Sequence, residues 1–180
     1  MKYLIALLFL VFLNSCKKET VKSVTIKADV TFLSDDALEG RQTGTKGEKA
    51  AAEYIAKRLE NLGLEGKGTN EYFQVFSFKP KTNPHQKVNY TVIEGDSTIT
   101  GTNVLGFINN NAKNTIVIGA HYDHLGYGAE GSLYRGEKAI HNGADDNASG
   151  VAVMLNLAEK LKGNNTNNNY LFMAFSGEEM

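Results

Sequence analysis

The chain holds one cysteine, two prolines and no tryptophan among its 180 residues. A single cysteine excludes an internal disulfide, so a packed core and not a covalent framework must hold the fold together. Two prolines rule out collagen-like or proline-rich spacer structure, whereas 18 glycines supply tight turns. The chain also lacks an excess of either charge, with 19 lysines and arginines against 20 aspartates and glutamates. That balance leaves no basic footprint, and no nucleic acid is expected as a partner. Hydrophobic residues at 42% and charged residues at 22% exclude disorder and coiled coil. What is left is a globular mixed α/β domain with a short appendage.

The appendage is N-terminal. Lys2 precedes an unbroken apolar run from Tyr3 to Leu13, followed by Asn14-Ser15-Cys16. A bilayer-spanning helix needs about 20 such residues, so this run is too short for one. A positive start, a short apolar stretch and small residues at its end read as a signal peptide over residues 1–15. The cysteine stands where cleavage would fall, and the arrangement resembles a bacterial lipoprotein signal. The expectation is a lipid on Cys16, a tether over residues 16–23 and a protein anchored to the bacterial cell envelope, in the periplasm or at the outer membrane.

Residues 24–180 read as alternating helices and strands. Val24 to Leu33 is expected to be helical, with Ser34-Asp35-Asp36 punctuating its end. Thr45 and Glu48 form a capping-box pattern, in which the threonine hydroxyl takes the amide three residues on and the glutamate reaches back. Ala51, Ile55, Leu59 and Leu62 follow at helical spacing, and Gly63 suits the C-terminus. Tyr72–Phe78, Val88–Glu94 and Thr98–Ile108 are strand-like, divided by Pro80, Pro84 and Gly95-Asp96. Thr115 to Ala120 is apolar throughout after its threonine, as in a strand buried on both faces. A helix capped by Asn147 or Ser149 should run to about Lys162 and stop at Gly163, with Asn164–Asn169 as a loop and Tyr170–Phe175 as another buried strand. The expected fold is α/β, a mixed and largely buried sheet sandwiched between helices.

Three clusters carry chemistry: His121-Tyr122-Asp123-His124, Gly143-Ala144-Asp145-Asp146-Asn147 and Gly177-Glu178-Glu179. In open α/β sheets, ligands bind beyond the carboxyl ends of strands, where two of these clusters fall. Imidazole with carboxylates is a donor set that suits zinc in a hydrolytic site. Singly, each cluster has an ordinary explanation: a surface hydrogen bond, helix-dipole compensation by acids at a helix start, or a solvated glutamate pair. Their order and setting together are much harder to obtain by chance.

Gly119-Ala120-His121-Tyr122-Asp123, Asn142-Gly143-Ala144-Asp145-Asp146-Asn147-Ala148-Ser149-Gly150 and Ser176-Gly177-Glu178-Glu179 resemble the metal-site motifs of the co-catalytic zinc exopeptidases, metallopeptidase family M-28. Ser34-Asp35-Asp36-Ala37-Leu38-Glu39-Gly40-Arg41, followed by Thr43-Gly44-Thr45, is similar to the opening segment of many secreted members. The resemblance covers about residues 24–180. It implies a peptidase that releases terminal residues from peptide substrates, an aminopeptidase first, with a carboxypeptidase or glutaminyl cyclase as alternatives within the family. It implies two Zn²⁺ ions in a complete site, with His121 a ligand of one zinc, Asp145 bridging both and Glu179 a ligand of the other. Glu178 is then the general base, and Asp123 orients His121 from behind by accepting its other ring N–H. For adjacent glutamates to divide these roles, the backbone must twist between them. A cis peptide between Asp145 and Asp146 is implied as well.

The family's dinuclear site takes five protein ligands, two of them from beyond the Glu-Glu motif, and this sequence ends at Met180. By this carry-over three of the five are present, and the 180 residues alone are expected to be inactive. A binding lipoprotein without hydrolysis would be expected to have eroded ligands, whereas all five site residues are intact. His124 and His141 flank the motifs and are secondary candidates for touching substrate. His85 reads as an exposed loop residue, and Arg41 as a structural ion pair or turn residue. Asparagines 89, 147 and 164 fit the glycosylation pattern but are expected to stay bare in a bacterial lipoprotein.

Overall fold

A computed structural model describes residues 24–81, 86–128 and 132–180. The apolar run, Cys16, the tether and His85 lie outside the described residues. No helix among the described residues is long and apolar enough to cross a membrane.

Helix α1 spans Ile26–Leu33, and the Thr25 hydroxyl accepts from the Ala28 amide to cap it. A 3₁₀ turn, Asp36–Arg41, follows and leads into α2, Lys46–Asn61. Strands β1 (Glu65–Gly66), β2 (Phe73–Phe78), β3 (Ile99–Ile108) and β4 (Thr115–His121) come next. One wide turn of π type, Ala144–Ala148, opens α3 (Ser149–Leu161), and β5 (Asn169–Phe175) follows. The sheet order is β1-β3-β5-β4, with β2 also paired to β3. Pairings along β3 are antiparallel, whereas β4 and β5 run parallel, joined through α3. The result is a mixed sheet flanked by helices, as expected.

Helical periodicity places the core. Leu33 of α1, Ala51, Ala52, Ile55 and Leu59 of α2, and Val151, Met154, Leu155 and Ala158 of α3 meet Val104, Ile108, Tyr170, Phe172 and Ala174 of the sheet in one buried cluster. Alternation along β5 sends Tyr170, Phe172 and Ala174 into that cluster, the period-2 signature of a strand with one packed face. Behind it, a buried ion pair joins α1 to α2. The Arg58 guanidinium donates to both Asp29 carboxylate oxygens at 2.8 and 3.0 Å, and the Tyr54 hydroxyl donates to one of them at 2.6 Å.

Three expectations are corrected here. Residues 88–94 form no strand, and the segment contributes only a single bridge, Asn89 to Lys79. Local side chains capture its amides instead: Asn89 accepts from the Thr91 N–H at 2.9 Å and Asp96 from the Ile93 N–H at 2.8 Å. Strand β4 is not buried on both faces, since Ile116 is 43% and Val117 58% exposed. Apolar content alone does not say how many neighbours a strand has, and β4 lies at the end of the described sheet order with only β5 beside it. The capping box forms by half. Thr45 accepts from the Glu48 amide at 3.3 Å, but the Glu48 carboxylate turns away from the helix start. It accepts from the Thr102 amide at 3.0 Å and the Tyr122 hydroxyl at 2.7 Å. Glu48 is buried, so these two donors from the sheet and from the turn after β4 outcompete a reach back to the helix start.

Candidate metal centre at the carboxyl ends of two strands

Strands β4 and β5 end side by side at His121 and Phe175, and the Tyr122 amide donates to the Phe175 carbonyl at 2.8 Å. The segments after both strands therefore leave the sheet at one place. Tyr122 is anchored below by the Glu48 carboxylate, and its hydroxyl also lies against the Thr102 carbonyl. Burial, with the Glu48 charge behind it, pushes the Tyr122 phenol far above its ordinary range, so it stays protonated.

Asp123 is fully buried and organises the turn after β5. Its Oδ1 accepts from the Glu178 amide and its Oδ2 from the Glu179 amide, each at 3.3 Å, while the Thr43 hydroxyl donates to Oδ2 at 2.9 Å. Gly177 makes this possible by adopting φ +84°, a left-handed conformation open to glycine at little cost. That twist breaks the strand alternation and lets both glutamates address one site. Burial pushes the Asp123 carboxyl up, but the neighbouring His121 imidazole and the hydrogen bonds from Thr43 and the two amides outweigh it and hold the group below the usual carboxylate value.

His121 sits between two carboxylates. Its Nδ1 lies 3.3 Å from the Asp123 carbonyl and 3.7 Å from Asp123 Oδ1, and its Nε2 lies 3.1 Å from Asp146 Oδ1. The Asp123 carboxylate, aided by Glu178, raises the imidazole pKa to about 9 against the opposing effect of burial. One ring nitrogen is thus turned to a supporting acid and the other to the open site, the posture of a metal-binding histidine.

The structure places Asp146, and not Asp145, against His121. Asp146 adopts extended angles, φ −124° and ψ 89°, inside the wide turn, and it joins the donor cluster. Asp145, one residue earlier, is exposed and belongs to neither donor group, its carbonyl accepting from the Ser149 hydroxyl at 3.1 Å. The cis peptide likewise falls one residue on, between Asp146 and Asn147. Two adjacent aspartates look alike in a sequence, and backbone conformation decides between them. Gly143 lies close behind: a Cβ there would meet the Asp146 carbonyl at 2.4 Å and the His124 ring at 2.7 Å.

Ligand atoms of His121, Glu178 and Glu179 lie within 4.8 Å of one another, as do those of His124, Asp146 and Glu179. His124 Nδ1 lies 2.9 Å from Glu179 Oε1, and its ring edge faces His141 at 6.3 Å between centroids. Sequence reasoning kept His124 only as a possible substrate contact. Its place directly after Asp123, across from the turn that carries Glu179, was not readable from spacing. Among the described residues no lysine or arginine forms an ion pair with Asp146, Glu178 or Glu179. Three carboxylates and two imidazoles converge with no lysine or arginine paired to those carboxylates among the described residues, and these donors fit a zinc ion.

Arg41 is the turn residue of its sequence reading and not the structural ion pair, closing the 3₁₀ turn Asp36–Arg41 with φ 49°. It makes no ion pair but is fully buried, and its guanidinium donates to four backbone carbonyls: Tyr122 at 2.7 Å, Asn142 at 2.7 Å, Gly143 at 3.0 Å and Leu33. Burial lowers its pKa to about 10, with the charges of Asp123 and Asp146 working the other way, so it stays charged near neutral pH.

A mixed sheet flanked by helices, with imidazoles and carboxylates gathered where two parallel strands end, defines an α/β domain with a candidate metal centre. Residues 103–180 match the sequence model of peptidase family M28, and the chain belongs to that family. It is 31% identical over 142 residues to the alkaline phosphatase isozyme conversion protein of Escherichia coli K12, a match covering 78% of this chain and 38% of that protein. The fold superposes on a glutaminyl cyclase from Fimbriiglobus ruber with a TM-score of 0.59 at 22% identity, over 85% of this chain and 45% of the other. It superposes on a Zn-dependent exopeptidase from Parabacteroides distasonis with a TM-score of 0.58 at 18% identity, over 86% and 47%. The chain thus spans less than half the length of these relatives.

Proposed function

We propose that this protein is a zinc-dependent exopeptidase that releases N-terminal residues from peptides. The convergence of His121, His124, Asp146, Glu178 and Glu179 at the ends of β4 and β5 carries this reading. Asp146 takes the bridging place first given to Asp145, because it touches His121 and also shares a donor group with Glu179 and His124. His121 and Glu179 would each help hold one of two zinc ions. Bound zinc would polarise the scissile carbonyl and lower the pKa of the attacking water. Glu178 accepts the proton of that water and returns it to the leaving amine. Asp123 keeps His121 oriented and holds the Glu178 and Glu179 amides in place. A surface of carboxylates attracts the free α-ammonium group of a substrate. A carboxypeptidase would need a cation for the substrate's terminal carboxylate, and Arg41 is committed to carbonyls.

The test is zinc titration against a competing chelator, followed by assay of the zinc-loaded protein on aminoacyl anilides, C-terminally blocked and free peptides, and peptides beginning with glutamine. From a protein spanning the length of its relatives we expect release of N-terminal residues, and none from the 180 residues alone. Glu178→Gln should cut turnover by roughly the 10²–10⁴-fold of a lost acid–base group while leaving zinc content near that of the parent. Cyclisation of glutamine without residue release would favour the second reading, a cyclase, which the likeness to the Fimbriiglobus ruber enzyme supports. A parent that binds no zinc would overturn both. We also place the protein at the cell envelope through a lipid on Cys16, and an unmodified Cys16 in the mass of the mature N-terminus would overturn that placement.

A further inference from the structure

We propose that Arg41 is a positioning residue for the metal centre, its guanidinium fixing the distance between the turn that carries His121 and the turn that carries Asp146. The inference rests on the zinc reading above and adds a residue outside the donor set.

The argument is geometric. The donors of the centre come from separate stretches of chain, and nothing in the sheet hydrogen bonding sets how far the 144–148 turn stands from the end of β4. Arg41 bridges that gap. From one side it donates to the Tyr122 carbonyl, between His121 and Asp123, and its own carbonyl accepts from the His124 amide at 3.2 Å. From the other side it donates to the Asn142 and Gly143 carbonyls, four and three residues before Asp146. A fourth bond to Leu33 ties the arrangement to the end of α1. The Asn142 side chain reinforces it by donating to the Ser34 carbonyl at 2.9 Å and to the Asp36 carboxylate at 2.7 Å.

Backbone carbonyls cannot rotate away as side chains can, so four of them held by one planar group define a fixed separation. A guanidinium presents several donors in a rigid fork, whereas an ammonium is a point charge that cannot span the same carbonyls. The chain also accepts an unusual backbone to bury this group. Glu39, Gly40 and Arg41 are three successive left-handed residues with φ of 48°, 69° and 49°, and two of them are not glycine. Such conformations persist where the surroundings over-determine them, commonly beside functional sites.

The experiment compares Arg41→Lys with the parent by zinc competition against a chelator and by thermal unfolding of the metal-free proteins. We expect zinc affinity to fall by about 10–100-fold, the range seen when a group supporting a ligand is lost, in protein that remains folded. A folded Arg41→Lys variant that binds zinc like the parent, whatever its unfolding temperature, would show that Arg41 merely stabilises the fold. Should the variant not fold, the parent itself decides. Hydrogen exchange at the arginine Nε–H groups is followed with and without zinc, with Arg58, bonded to Asp29 between α1 and α2, as the internal control. Coupling between clamp and metal is reciprocal, so zinc should slow exchange at Arg41 by tenfold or more beyond any change at Arg58. Equal changes at both would overturn the proposal. A parent that binds no zinc would instead remove the reading on which it rests.

Discussion

Two buried arginines separate the two halves of this molecule by what each one grips. Arg58, between α1 and α2, faces a carboxylate: Asp29 takes both of its donors, and the Tyr54 ring, stacked on Phe32 at 4.0 Å, closes the pocket. Burial works against its charge, but the hydrogen bond and charge of Asp29 outweigh that and raise its pKa. Arg41 faces carbonyls only, and there burial wins and the pKa falls to about 10. The same side chain thus does two jobs. Facing an acid it joins two helices as a neutral pair, and facing fixed carbonyls it places backbone that carries a functional centre.

The largest expected effect breaks the helical side of this comparison. Arg58→Met leaves the Asp29 carboxylate buried without its cation and should cost about 3–5 kcal/mol of stability, read by denaturant unfolding. Adding Asp29→Leu should recover most of that loss, because an apolar pair of similar volume often replaces a buried ion pair without penalty. Zinc affinity should not follow Arg58, and a parallel loss would mean that the two regions are not separate. On the other side, Asp146→Asn should weaken zinc binding by at least the roughly 10–100-fold typical of groups that support a metal site. Asp145→Asn should leave it unchanged. Equal losses in a chelator competition would restore the bridging role to Asp145. The smallest effect sits where the two regions meet. Tyr122→Phe removes one donor from the buried Glu48 carboxylate and should cost about 1–3 kcal/mol, with the Thr102 amide still bonded. A larger loss in zinc affinity than in stability would show that Glu48 acts on the centre through Tyr122.

Much of this was readable in advance where residues speak for themselves. The spacing of Ala51, Ile55 and Leu59 gave α2, whose buried face is as the periodicity requires. The apolar run Tyr170–Phe175 gave β5, although only every second side chain of it is buried, and the three motif clusters meet at one place. Two of the failures share one cause. Residues 88–94 have the composition of a strand, but Asn89 and Asp96 take the amides that a neighbouring strand would have bonded. Glu48 has the position of a capping partner, but a tyrosine 74 residues away makes a stronger bond to it. In each case a competing partner, invisible to local pattern, decided the outcome.

By itself the sequence determined which residue types could make a zinc site, in what order, and on which strands and helix starts, because hydrophobic period and turn chemistry are local properties. The tertiary structure alone decided that Asp146 rather than Asp145 faces His121, that His124 meets Glu179, and that Arg41 grips carbonyls rather than an acid. Those outcomes depend on φ and ψ at single residues and on contacts between segments 80–110 residues apart, such as Arg41 with Tyr122 and Asn142 and Asn142 with Ser34. Distances of that kind are set when the core packs, and no window of neighbouring residues contains them.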